Sequence, residues 1–192
     1  MAGSAVNFLK EFVTNPQKIG AIAPSSEELA GALAGSIDWD RVRVAAEYGP
    51  GLGSITRAIL ERLDGQDFFA IELNQAYADA LSKQFSDLSV YCDSVANIEQ
   101  IAAAHGAIPI DAVVSSLPWA NFSEGLQDEL LDATMNVLAA DGQFATFSYV
   151  HGLMLKSAQR FHEKLERRFR SVERGDVVWR SVPPAVVYHC QR

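Results

Sequence analysis

Three glycines at alternate positions, Gly49, Gly51 and Gly53, follow the apolar run Val42-Arg43-Val44-Ala45-Ala46 and the pair Glu47-Tyr48. A backbone that lacks a Cβ at every second residue can turn sharply and lie close against a ligand. After the turn, Ile55, Ile59 and Leu63 recur at four-residue spacing, which predicts a helix over 54–63 with one buried face. Apolar strand, glycine turn and amphipathic helix together predict the first unit of a nucleotide-binding α/β sheet.

A glycine-rich turn occurs both in dinucleotide-binding proteins and in methyltransferases, and the acids that follow separate the two. The run Phe68-Phe69-Ala70-Ile71 leads to Glu72, whose carboxylate can accept hydrogen bonds from two ribose hydroxyls; the run 88–92 leads to Asp93. Three successive strands are thus expected to end in carboxylates, Glu47, Glu72 and Asp93, at the edge where open α/β sheets bind ligands. This pattern resembles the class I S-adenosylmethionine-dependent methyltransferases. The resemblance implies a Rossmann-like α/β fold, a seven-stranded, mostly parallel sheet in the order 3-2-1-4-5-7-6 with helices on both faces. It also implies S-adenosylmethionine as cofactor. Glu47, Gly49, Gly51 and Gly53 would surround its methionine part, Glu72 its ribose, and Asp93 its adenine amine. Charge agrees: a ligand with a sulfonium and an ammonium but no phosphate suits carboxylate neighbours, whereas a pyrophosphate favours amide N–H groups and cations.

The alternation continues along the chain. Helices are predicted over 95–104, 124–139 and 155–169, and strands over 110–115, 143–149, 172–179 and 185–190, the last two flanking Ser181-Val182-Pro183-Pro184. With 192 residues, 48% of them apolar and 21% charged, one domain is expected, a core over 41–192 preceded by an N-terminal segment over 1–40. The apolar runs fall short of the roughly 18 residues a membrane span needs, and Lys10 and Glu11 interrupt any signal-peptide core, so a cytosolic protein is expected. Cys92 and Cys190 lack metal-ligand spacing, and no metal is expected. The net charge of −8 argues against DNA as a partner. Even so, eight of the sixteen Lys and Arg lie between Lys156 and Arg180, either as a solvated helix face or as a contact for an anionic surface.

Three further strings narrow the resemblance. Residues 6–13 place Val6, Leu9 and Val13 on one helical face with Phe12 beside it, a short amphipathic helix for its own sheet, a partner or a lipid interface. The string Asn15-Pro16-x-Lys18-Ile19-Gly20-Ala21-Ile22-Ala23-Pro24-Ser25-Ser26, the strand exit Ser115-Ser116-Leu117-Pro118-x-x-Asn121-Phe122, and Pro183-Pro184-Ala185 with Val187 look like the bacterial phospholipid N-methyltransferases. That family converts phosphatidylethanolamine stepwise to phosphatidylcholine. The likeness implies a phospholipid substrate and attachment of the N-terminal helix to an anionic membrane surface, the inner face of the cytoplasmic membrane. It also implies a cofactor-covering segment that includes Ser25 and Ser26. Two departures leave the acceptor open: Tyr48 and Leu52 alter the glycine turn, and Ser148-Tyr149-Val150-His151-Gly152-Leu153-Met154 replaces a glycine- and proline-rich stretch.

Ser116-Leu117-Pro118-Trp119 is also similar to the Asn-Leu-Pro-Tyr of ribosomal RNA adenine dimethyltransferases. Serine in place of asparagine removes one polar contact to a planar amine, so RNA is expected less than lipid; a cofactor-binding module without activity is the third reading. An amine with a pKa near lysine's, about 10.4, must lose its proton before it attacks a methyl group. Ser116, Tyr149 and His151 are the candidates to orient that amine or receive the proton. Trp119 and Tyr149 are candidates to face the cationic product.

Overall fold

The computed structural model describes residues 26–192. One sheet runs in the order β3-β2-β1-β4-β5-β7-β6. Strands β1 (Val44–Tyr48), β2 (Asp67–Glu72), β3 (Ser89–Cys92), β4 (Ile110–Ser115) and β5 (Leu138–Tyr149) pair with one another in parallel. β7 (Ala185–Gln191) lies antiparallel to both β5 and β6 (Ser171–Val178). Helices α1 (Glu27–Gly35), α2 (Ser54–Leu60), α3 (Gln75–Gln84), α4 (Ile98–His105), α5 (Glu124–Val137) and α6 (Lys156–Arg168) cover the sheet. The expected Rossmann-like class and strand order are both present.

Strands buried on both faces read as unbroken apolar runs, and their alternate residues feed two cores. Ala46, Phe69, Val113 and Phe144 meet Ile98, Leu130, Phe161 and Leu165 on one side. Ala45, Ala70, Val114 and Ala145 meet Leu29, Leu33, Ile55 and Ile59 on the other.

Several boundaries shift by up to five residues from the sequence expectation, these three among them. β1 continues through Glu47 and Tyr48, because β2 and β4 flank it and pair with both residues. β5 begins at Leu138, which already pairs with Ile110; the ladder then shifts register before Gln143 pairs with Ala112, so Asp141 and Gly142 lie in an irregular stretch of the strand. α2 stops at Leu60, with Glu61 as its cap.

The basic run of α6 faces α5. Arg160 pairs with Glu124, Lys164 with Asp128, and Arg168 with both Asp128 (3.0 Å) and Asp132 (2.7 Å). Lys164 is buried and also donates to the Glu124 carbonyl (2.9 Å). These three cations therefore hold two helices together. Burial works against charge on Asp128, but the hydrogen bond and charge of Lys164, then those of Arg168, outweigh it and hold the carboxyl below its ordinary value. The resulting stabilisation is present above the unfolded carboxylate pKa and is lost as pH falls through the folded one. Lys164→Ala is expected to lower the unfolding free energy by about 1.5–3 kcal/mol. Arg160→Ala, at an exposed pair, should cost less than about 1 kcal/mol. Urea denaturation at neutral pH checks the ranking.

Candidate active site

The glycine turn is built between β1 and two neighbours. Gly49 N donates to the Ile71 carbonyl (2.9 Å), Gly51 N to Glu72 Oε2 (3.0 Å), and Gly53 N to the Pro50 carbonyl (2.9 Å). All three glycines have left-handed backbones, at φ 69°, 55° and 83°, which side-chain-bearing residues avoid. A Cβ on Gly49 would lie 2.9 Å from Leu117 Cδ2, and one on Gly53 would lie 2.8 Å from Phe85 Cε2, whereas a Cβ on Gly51 meets nothing within 4 Å among the described residues. The outer glycines are pinned by packing, and the middle one is open to a ligand.

Glu47 is fully buried. Its Oε2 accepts from Thr56 Oγ1 (2.7 Å) on α2, and its Oε1 has no partner among the described residues. Burial pushes its pKa up to about 8, against the Thr56 hydrogen bond and with a contribution from the charge of Glu72. Glu72 is nearly buried too, and its Oε1 and Oε2 accept from Asn74 N (2.8 Å) and Gly51 N (3.0 Å). Burial raises its pKa, while the backbone N–H groups of Asn74, Gly51 and Leu73 oppose the rise. An ionised carboxylate has about four acceptor directions, so Glu72 retains capacity for two more donors. Asp93 follows β3 directly, one residue beyond Cys92, the register partner of Glu72. Its Oδ1 accepts from Ser94 N (2.6 Å) and Asn97 Nδ2 (2.9 Å), and the residue is exposed. The three acids expected from the sequence thus share one edge, with Glu47 inside its strand instead of at the end.

The neighbouring part of that edge is formed by the exits of β4 and β5. Ser116 N donates to the Tyr48 carbonyl (2.9 Å), and Ser116 Oγ is buried without a partner among the described residues. The turn after Ser116 is fixed from below by Ser115 and by Gln127, which the sequence reading did not single out. Ser115 Oγ accepts from Trp119 Nε1 (3.0 Å), and Gln127 Nε2, on the buried face of α5, donates to the Trp119 carbonyl (2.8 Å). A polar residue inside the apolar stripe of α5 was the available signal for Gln127. Trp119 itself is buried, stacked on Phe161 with centroids 4.9 Å apart, so it belongs to the core and does not face an acceptor. Tyr149 lies at the end of β5, half-buried and stacked on the exposed ring of His151 (5.7 Å, 12°). Burial raises the Tyr149 pKa, which keeps the phenol neutral. Val150 N donates to the Pro184 carbonyl (2.8 Å), bringing the Pro183-Pro184 string beside Tyr149. Ser26 Oγ accepts from Leu29 N (3.2 Å) and caps α1. Ser25, Lys18 and the helix expected over 6–13 lie outside the described residues.

No protein-family profile matches the chain. A precorrin-6y C5,15-methyltransferase from Geobacter metallireducens superposes with a TM-score of 0.63 at 15% identity, covering 84% of this chain and 85% of the other. A TehB-like S-adenosylmethionine-dependent methyltransferase from Corynebacterium glutamicum does so with a TM-score of 0.61 at 17% identity over all of both chains. An ornithine lipid N-methyltransferase from Singulisphaera acidiphila is 29% identical over 188 residues, 96% of this chain and 94% of that protein. The fold is that of the class I S-adenosylmethionine-dependent methyltransferases. Within that class it resembles the bacterial lipid N-methyltransferases over nearly its whole length. The residues present fit the cofactor: buried Glu47 Oε1 is an unpaired acceptor, and the open Gly51 allows close backbone approach.

Proposed function

We propose that this enzyme methylates the primary amine of a membrane aminolipid, phosphatidylethanolamine or an ornithine lipid. The observation that carries this reading is the end-to-end similarity to an ornithine lipid N-methyltransferase. Bound S-adenosylmethionine supplies a methyl carbon made electrophilic by its sulfonium. Glu47 is assigned to the ammonium side of that cofactor, where a positive neighbour favours its ionised form. Glu72, with two free acceptor directions, is assigned to the ribose hydroxyls, and Asp93 to the adenine amine.

On the acceptor side, the Ser116 hydroxyl is the hydrogen-bonding group for the incoming amine, since it is buried with no partner among the described residues. Tyr149, neutral and at the rim, orients the headgroup. His151, exposed and stacked on Tyr149, takes the proton that the amine must lose before attack and passes it to solvent. What the chain contributes is placement, holding the amine about 3 Å from the carbon it attacks. The adenine-methylating alternative needs an aromatic face at Trp119, which is packed under Phe161 instead.

Labelled methyl from S-adenosylmethionine should enter the ornithine lipid or phosphatidylethanolamine pool of a bacterial lipid extract and leave ribosomal RNA unlabelled. Label in RNA alone, or none in any lipid with cofactor binding intact, would overturn the assignment.

A further inference from the structure

We propose that the β5–α6 and β6–β7 connections seat this protein on an anionic bilayer, with Met154, Leu155, Trp179 and Val182 entering the interface. The proposal rests on the aminolipid reading and names the surface that serves it. Six large apolar side chains are exposed among the described residues. Four of them lie on these two connections: Met154 at 87%, Leu155 at 51%, Trp179 at 72% and Val182 at 83%.

The sheet brings them together. Tyr149 pairs with Ala185, and Ala185 pairs with Val178, so β5, β7 and β6 meet in one row at the edge that holds the glycine turn. The bond from Val150 N to the Pro184 carbonyl (2.8 Å) ties one connection to the other. Both therefore rise beside Tyr149 and His151, on the acceptor half of the site. Large apolar side chains grouped on loop tips mark an interaction surface, and tryptophan favours the membrane interface.

Charge distinguishes a lipid occupant from an apolar protein one. Lys156 directly follows Leu155, and Arg180 directly follows Trp179. A long cationic side chain behind an apolar tip can reach headgroup phosphates while its neighbour is buried. Lys156 makes no ion pair among the described residues, and Arg180 reaches Glu28 at 3.9 Å with its own side chain 83% exposed. By contrast, Arg160, Lys164 and Arg168 are engaged on α5. In a chain of net charge −8, Lys156 and Arg180 give these two connections a local positive charge that an anionic surface attracts. A lipid amine then reaches Ser116 with its acyl chains still in the bilayer.

The test uses the full chain and vesicles of phosphatidylethanolamine and phosphatidylglycerol. Brominated acyl chains should quench Trp179, while Trp39, whose Nε1 donates to the Ala34 carbonyl at the C-terminal end of α1, and buried Trp119 stay bright. The double variant Met154→Ser/Val182→Ser should partition onto vesicles at least about tenfold more weakly. It should methylate a short-chain, monomerically dispersed aminolipid at the wild-type rate. Partition within twofold of wild type would overturn the proposal. So would a Trp179 that lipid bromine fails to quench and that is shielded from acrylamide without vesicles. That second result would assign the patch to residues 1–25, which join the described chain at Ser26, beside Glu28 and Arg180. Failure of the wild type on the dispersed lipid would sink the aminolipid reading, whereas quenching and partition decide the docking surface separately.

Discussion

Glu47→Gln should stabilise the cofactor-free protein at pH 8 and flatten its stability between pH 5 and 8. The carboxyl is fully buried, with a folded-state pKa near 8, whereas in the unfolded chain it titrates near 4.3. Below the lower value both states hold the proton. As pH rises between the two values, the unfolded state releases its proton and the folded state retains it. Stability therefore falls, by at most about 1.4 kcal/mol per pH unit, and the loss is complete above the folded pKa. Glutamine mimics the protonated form at every pH and has no such slope. The same substitution should weaken S-adenosylmethionine binding most at pH 8, where the wild-type carboxylate ionises to meet the ammonium. Urea unfolding at four pH values, with calorimetric titration of the cofactor, gives both readings. Parallel stability profiles for the two proteins would refute the argument.

Glu72→Ala should lower cofactor affinity about 10- to 100-fold. Hydrogen bonds to a charged group are worth about 1.5–3 kcal/mol, and the proposed ribose contact uses the two acceptor directions left by Gly51 N and Asn74 N. The alanine variant also strands those two amides, so a lower melting temperature should accompany the weaker binding. Glu72→Gln retains an oxygen acceptor and separates the effects, with stability closer to wild type and affinity between the two. If alanine left affinity within twofold, the ribose would have to be held elsewhere.

The fold was legible in the sequence wherever the signal is local. Alternate glycines, apolar runs of strand length and helical spacing each depend on the conformational freedom and periodicity of adjacent residues, and β4 at Ile110–Ser115 begins and ends as expected. The acids Glu47, Glu72 and Asp93 were identifiable because strand ends in such sheets share one edge. Remote neighbours decided the rest. Glu47 reads as a strand-end acid until β2 and β4 enclose it, which turns a solvated carboxylate into one that holds its proton. Trp119 reads as a site aromatic until Phe161 of α6 stacks on it. Arg160, Lys164 and Arg168 of α6 read as either a solvated face or an anion contact until Glu124, Asp128 and Asp132 of α5 pair with them. Residue types along the chain determine which groups can carry charge, bend or pack. Only the tertiary structure determines which of them keep water as a neighbour, and desolvation sets both their charge and their availability to a ligand.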